Sequence, residues 1–189
     1  MKTTLIEKKA ALRAQMTRQL AEMTSMDREA ASARMRELLW KDADFLEAKT
    51  IFCYVSMPEE PDTRTMIHRC LETGRRVCVP RVVPGAGVIE ARELKRWDGS
   101  FAAGSFGILE PDPAVTNLVR PAEVDCVIVP GLAFDHEGFR LGRGKGYYDR
   151  FIAALNPRAS RIALAFAFQC VDRVPREAHD QKVTRVLSA

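Results

Sequence analysis

Cysteine, histidine and long apolar runs are all scarce in this chain. No apolar stretch approaches the ~20 residues that a bilayer-spanning helix needs. The longest are Ile51–Val55 and Ile162–Phe168, so a membrane partner is not expected. The N-terminus, MKTTLIEKKAALR, turns charged before an apolar segment develops, which argues against a cleaved secretion signal. The five cysteines (Cys53, Cys70, Cys78, Cys126 and Cys170) are odd in number and form no C-x-x-C pair. With only three scattered histidines they offer no zinc-binding spacing. Most of them lie within apolar runs, so buried reduced thiols and a cytoplasmic protein are expected. Net charge is only +4, from 29 basic and 25 acidic residues. That is too little to indicate nucleic acid by itself. It suits an anionic small molecule if the positive charge is concentrated somewhere.

What is present is ordinary for a globular chain: 47% hydrophobic and 29% charged residues, which excludes disordered and collagenous classes. A chain of 189 residues can bury about 70% of its unfolded surface, so it needs no disulfide or metal staple. One domain over 1–189 is expected, with residues 1–45 as a helical pair packed on an α/β core.

The helical pair opens on Thr4-Leu5-Ile6-Glu7, which has capping-box spacing. Leu12, Met16, Leu20 and Met23 follow at helical intervals, and Thr24–Asp27 starts the second helix. Lys9 and Arg13 are four apart and share a face, which by itself reads as a solvated basic stripe. Thr50–Met57 is a short β-rich apolar run, as in a central parallel strand. Thr63–Thr73 reads as a helix closed by Gly74, and Arg76–Val83 as a strand whose Pro80 predicts an edge position or strand end. Strands are also expected at Val88–Leu94, Asp125–Pro130, Arg161–Phe168 and Val183–Leu187. A loop is expected over Trp97–Pro113 and a helix over Lys145–Leu155. This alternation predicts a three-layer α/β/α domain with an open, mostly parallel sheet.

Five of the eleven glycines fall between positions 131 and 146, after a buried strand and before a helix. Ligands of open α/β sheets bind at that end of the strands. Closely spaced glycines let backbone N–H groups approach a ligand, and a helix N-terminus adds a positive dipole end. Arg140, Arg143 and Lys145 add three full charges within the segment. The segment therefore reads as an anion site, with phosphate as the natural guest. It is neither G-x-x-x-x-G-K-[ST], because Phe139 and Gly146 break that pattern, nor G-x-G-x-x-G, because Gly142, Gly144 and Gly146 alternate. Asp149, one turn after Lys145 on the expected helix, is either a salt-bridge partner of these cations or a ligand for Mg²⁺. Asp180, Asp135 and Glu137 are candidates for a second carboxylate.

The run LGRGKGYYD at 141–149 resembles the signature of the 5-formyltetrahydrofolate cyclo-ligase (5,10-methenyltetrahydrofolate synthetase) family. Lys9-x-x-x-Arg13, Ser56–Thr63, Phe106–Pro111, Val129–Asp135 and His179-Asp180 match other family motifs in order and spacing, across essentially the whole chain. The resemblance implies an open α/β sheet related to ribose-5-phosphate isomerase and CoA-transferases. It implies 5-formyltetrahydrofolate and ATP as substrates, with Mg²⁺ as cofactor. Carried over by position, Lys9, Arg13, Arg140, Gly142, Arg143, Gly144, Lys145, Gly146, Tyr147 and Tyr148 match ATP-contacting positions. Val55, Glu60 and Arg143–Tyr147 match substrate contacts, and Asp149 and Asp180 match Mg²⁺ ligands. The implied reaction, EC 6.3.3.2, phosphorylates the formyl oxygen and closes the ring through N10. It needs no enzyme nucleophile, and the sequence shows no Ser/His/Asp or Cys/His constellation. Lys145 and Arg143 are the expected charge stabilisers and Tyr147 the expected partner of the formyl oxygen, while Tyr148 reads as core. A monomer is expected. Two other readings use the same loop: a different ATP-dependent phosphoryl-transfer enzyme, and a single-stranded nucleic-acid module built on Arg140, Arg143, Lys145, Tyr147 and Tyr148.

Overall fold

The computed structural model describes residues 4–97, 101–103 and 109–189. Helix α1 (Leu5–Glu22) begins at the expected capping box. The Thr4 hydroxyl accepts from the Glu7 N–H at 3.2 Å, and the Glu7 carboxylate accepts from the Thr4 N–H at 2.7 Å. Helix α2 (Ser25–Leu39) is capped by the Thr24 hydroxyl, which accepts from the Asp27 N–H at 3.1 Å. A short helix α3 (Ala43–Glu47), capped by Asp42, was not legible, because five residues are too few to show a period. Strand β1 (Thr50–Cys53), helix α4 (Arg64–Glu72) and strand β2 (Arg76–Val83) form the expected unit, with β1 and β2 parallel. Gly74 turns the chain at φ +74 after α4.

Strand β3 (Val88–Leu94) returns antiparallel to β2. The expected loop over Trp97–Pro113 is corrected in part. Strands β4 (Phe101–Ala103) and β5 (Leu109–Pro111) pair antiparallel as a separate two-stranded sheet. Their glycine- and proline-rich surroundings hide them, since three-residue strands carry almost no alternation. Phe106, Gly107 and Ile108 of the motif lie outside the described residues. After β6 (Asn117–Val119) come β7 (Cys126–Val129), the small hairpin β8 (Ala133–Phe134) and β9 (Arg140–Leu141), helix α5 (Tyr147–Ala153), β10 (Ser160–Ala165) and β11 (Arg185–Ser188).

The main sheet runs β11-β10-β7-β1-β2-β3-β6, parallel through its first five strands and antiparallel at β3 and β6. The period-2 alternation of each strand divides the core in two. Ile51 and Cys53, Cys126 and Ile128, and Ile162 and Leu164 face Met16, Met35, Leu39, Phe45 and Ile67 from helices α1 to α4. Phe52, Val127, Val129, Ala163 and Ala165 face Phe151 and Ile152 of α5. Each such fully buried large side chain contributes about 2 kcal/mol through apolar area removed from water. Four cysteines sit in these layers as free thiols, and only Cys170 is exposed. Burial pushes Cys78 and Cys126 up to about 12, so they stay protonated and unreactive.

Pro80 does not place β2 at the sheet edge, since β3 pairs with it from Val77 to Val83. The missing donor is tolerated because β1 pairs only with Arg76–Cys78. Beyond Cys78, β2 has no paired strand on that side among the described residues. The topology reverses between β1 and β7: the chain leaves β1 toward β2, and leaves β7 toward β10. Their carboxyl ends therefore diverge and open a crevice.

Candidate active site

A cavity of about 690 Å³ fills that crevice. Its walls come from four places: the segment after β1, the upper halves of β2 and β3, the glycine loop after β7, and one face of α1 with the 177–180 segment. Pro80, Val82 and Ile89 make an apolar wall where β2 has outrun β1.

The segment after β1 is held by side chains. Thr63 is fully buried. Its hydroxyl donates to the Tyr54 carbonyl at 2.6 Å and accepts from the Ser56 N–H at 3.0 Å. The Thr63 N–H in turn reaches the Ser56 hydroxyl at 3.3 Å. This bracket fixes Val55, which is buried against the cavity, and Glu60, whose carboxylate accepts from the Met57 N–H at 3.1 Å. Burial pushes the Glu60 carboxyl above its usual value, against the opposing pull of the Met57 N–H and Arg143. Arg28 donates to the carbonyls of Met23, at the end of α1, and Glu59, at 2.8 and 3.0 Å. It thereby locks α1 to this segment, a role no sequence spacing signalled.

The glycine loop is shaped by its backbone. Helix α5 starts at Tyr147 rather than Lys145, because Gly146 stands at its N-cap in the left-handed region at φ +66. Asp149 is therefore not one helical turn beyond Lys145, which lies in the loop. Gly144 also has positive φ (+100), and a Cβ there would lie 3.4 Å from the Arg13 guanidinium. Lys145 and Arg143 are exposed at the cavity. Lys145 has no acidic partner among the described residues. Arg143 reaches across to Glu59 at 3.1 Å and Glu60 at 3.4 Å.

Lys9 and Arg13 do not form a solvated stripe. Both line the cavity, and Arg13 donates to the Gly142 carbonyl at 3.0 Å. The Lys9 ammonium lies 2.8 Å from Asp180 and 2.9 Å from Glu177. Burial works against the charge on Lys9, but the two carboxylates outweigh it and hold the ammonium above its usual value. Burial would likewise raise Asp180, yet Lys9 and the Glu177 N–H hold it below the ordinary range.

Arg140 is buried beneath the loop and donates to Asp149 Oδ1 at 3.0 Å. That oxygen also accepts from the Gln181 N–H at 3.1 Å. Asp149 and Asp180 thus line one cavity, each with one oxygen engaged. Their other oxygens, Asp149 Oδ2 and Asp180 Oδ1, carry no hydrogen bond among the described residues. Asp135 and Glu137 do not join them. Asp135 is buried and accepts from three N–H groups, of Glu137, Phe139 and Val174, so it is a turn-forming residue. Glu137 is paired with Arg176 at 2.7 Å. Tyr147 and Tyr148 both line the cavity. Trp97 does not; it packs on His68 and Phe101 at 4.7 and 5.0 Å between ring centroids.

A doubly wound sheet with a cationic glycine loop at its switch point defines an α/β enzyme that takes anionic substrates beside the strand ends. The model of the 5-formyltetrahydrofolate cyclo-ligase family matches residues 5–189, and the chain belongs to that family. It is 33% identical over 151 residues to the 5-formyltetrahydrofolate cyclo-ligase of Mycolicibacterium smegmatis, covering 79% of this chain and 78% of the relative. With the mouse (Mus musculus) enzyme of the same name it shares 27% identity over 187 residues, 95% and 92% of the two chains. The solution structure of the Aquifex aeolicus 5,10-methenyltetrahydrofolate synthetase superposes with a TM-score of 0.83 at 29% identity, covering 95% and 89% of the chains. The Mycoplasma pneumoniae synthetase has the same fold, with a TM-score of 0.75 at 22% identity over 95% and 97%.

Proposed function

We propose that the cavity at the switch point is where the chain carries out its family's reaction, the ATP-dependent closure of 5-formyltetrahydrofolate to 5,10-methenyltetrahydrofolate. The observation that carries this reading is the convergence of Lys9 and Arg13 from α1 with Arg140, Arg143 and Lys145 around one cavity that also holds Glu60.

The chemistry asks for little beyond placement and charge. The formyl carbon is a poor electrophile and its oxygen a poor leaving group. Attack of that oxygen on the γ-phosphorus breaks the bond to ADP and leaves an imidate-like phosphate on the folate. N10 then attacks the carbon and loses its proton, the C–O bond breaks, and inorganic phosphate departs. Such transfers are accelerated mainly by positioning and electrostatic stabilisation. Lys145, Arg143 and Arg140 serve the phosphates, with Lys9 and Arg13 closing from α1. The N–H groups of Gly142, Gly144 and Gly146 approach the phosphoryl oxygens. Glu60 receives the pterin N–H donors, Val55 supplies an apolar contact, and Tyr147 orients the formyl group. The oxygens of Asp149 and Asp180 that carry no hydrogen bond, Asp180 Oδ1 lying 3.7 Å from His179 Nε2, fit Mg²⁺, a hard cation that takes one or two carboxylates together with phosphate oxygens. When bound there it would neutralise phosphate charge. The free buried thiols support a cytoplasmic location. Among the described residues no helix is long and apolar enough to cross a membrane. The chain acts on small molecules, and we assign it as a monomer.

The test is absorbance. Protein mixed with 5-formyltetrahydrofolate and MgATP should develop the long-wavelength band of the conjugated methenyl product, and omission of either ATP or Mg²⁺ should abolish it. Folded protein that binds ATP yet gives no band would overturn the folate reading and favour another ATP-dependent transferase on the same loop.

A further inference from the structure

Arg150 of α5 is exposed and does not line the cavity, yet its guanidinium is held in place. Its Nε–H donates to the Gly87 carbonyl and its Nη2–H to the Lys145 carbonyl, each at 2.7 Å. The guanidinium carbon lies 5.7 Å from the centroid of the Tyr147 ring. Both acceptors are main-chain carbonyls, and no carboxylate pairs with Arg150 among the described residues. A solvated surface arginine is not tethered this way. Two short charge-assisted bonds from one planar fork fix two separate turns relative to each other.

Those turns belong to opposite walls of the cavity. Gly87 closes the hairpin between β2 and β3, whose paired Val82 and Ile89 belong to the apolar wall. Lys145 belongs to the glycine loop. Arg150 therefore ties wall to loop from outside. The glycines leave room for it: a Cβ at Gly146 would lie 2.8 Å from Nη1, and one at Gly87 3.7 Å from Nη2. The bond to Lys145 also has a direction. The Lys145–Gly146 peptide is trans, so its carbonyl and its N–H point opposite ways. With the carbonyl held by Arg150, the Gly146 N–H is turned away from the guanidinium.

Resting on the function proposed above, we propose that Arg150 is a positioning residue for the reaction. It sets the plane of the Lys145–Gly146 peptide and the separation between the cationic loop and the apolar wall, and it acts through them rather than on a substrate. Lysine cannot replace it, because an ammonium is a point charge without the planar fork that reaches both carbonyls.

Arg150→Ala and Arg150→Lys test the role by steady-state kinetics and thermal melting. A merely structural arginine would lower Tm on removal and leave kcat, measured well below Tm, unchanged. A positioning arginine should leave Tm within a few degrees while kcat of Arg150→Ala falls about 10²-fold, as for a displacement of about 1 Å in the reacting geometry. The KM values for ATP and folate should change less than kcat. Arg150→Lys keeps the charge and the stem and should still lose about 10-fold in kcat, which decides the matter if the alanine variant is unstable. Because Arg150 acts through the peptide that carries Lys145, adding Lys145→Ala to Arg150→Ala should cost at least about 10-fold less than the product of the two single losses. With active wild type, a kcat of Arg150→Lys within about 3-fold, or losses that multiply in full, overturns the inference alone. Wild type that forms no methenyl product overturns the functional reading and this inference with it.

Discussion

The two loops at the carboxyl ends of β1 and β7 keep their shapes by opposite means. The first, Tyr54–Thr63, is stapled by buried side chains: Thr63 bridges Tyr54 and Ser56, and Arg28 anchors Glu59. The second, Gly131–Gly146, is shaped by backbone, with Gly138, Gly144 and Gly146 at positive φ. The first presents fixed acceptors and apolar surface; the second presents N–H groups and cations. The difference matches their proposed guests. A rigid heterocycle is selected by fixed hydrogen-bond partners, whereas a phosphate chain needs close backbone approach and diffuse positive charge. Arg143, paired with Glu59 and Glu60, bridges the two loops.

The largest effect should come from the second loop. Lys145→Ala removes a cation that has no acidic partner among the described residues, and should lower kcat about 10³-fold with Tm unchanged, by analogy with transition-state arginines. A loss under ~3-fold would remove Lys145 from the phosphates. Asp149→Ala acts on the same side but exposes a structural debt. Arg140 is 6% exposed, and breaking a buried pair costs about 3 kcal/mol. Lower stability in a urea titration should accompany a weakened Mg²⁺ dependence. Loss of stability with an unchanged Mg²⁺ titration would make Asp149 a partner of Arg140 only.

Thr63→Val probes the first loop. It strips the Tyr54 carbonyl and the Ser56 N–H of their buried partner, which should cost about 2 kcal/mol. The folate KM should then rise more than the ATP KM. Equal rises would mean that the loops are not separate devices. Glu60→Gln is the mildest change and should raise the folate KM about 10-fold, a loss of about 1.4 kcal/mol. Its pH behaviour sharpens the contrast. Because the folded Glu60 carboxyl is raised above 4.5, the stability it contributes is present below that value and lost as pH rises through the folded pKa. Folate binding needs the ionised form, so the wild-type folate KM should fall across the same interval. Glu60→Gln should flatten both profiles; an unchanged KM profile would remove Glu60 from the pterin.

Much of this site was legible in the chain. The glycine loop announced itself by composition and Asp149 by the chemistry of a carboxylate among cations, whereas Glu60 entered only through the family resemblance. Lys9 was not legible from spacing, since a basic pair on an amphipathic helix ordinarily faces solvent. Arg28 and Glu59 carried no signal at all. The boundary of α5 was misplaced because Gly146 behaves as a left-handed cap, which a helical period cannot reveal.

Local rules sufficed for the alternation of strands and helices, the capping of α1 and α2, the burial of most thiols and the location of an anion loop. Each depends on residues within a few positions of one another. Tertiary structure alone decided that Lys9 meets Asp180 across 171 positions and that Arg13 reaches Gly142 across 129. It alone left the buried Tyr148 hydroxyl and Arg140 Nε without a hydrogen-bond partner among the described residues. Ion pairs and unsatisfied donors depend on which surfaces the sheet and α1 bring together, and no periodicity encodes a partner that distant.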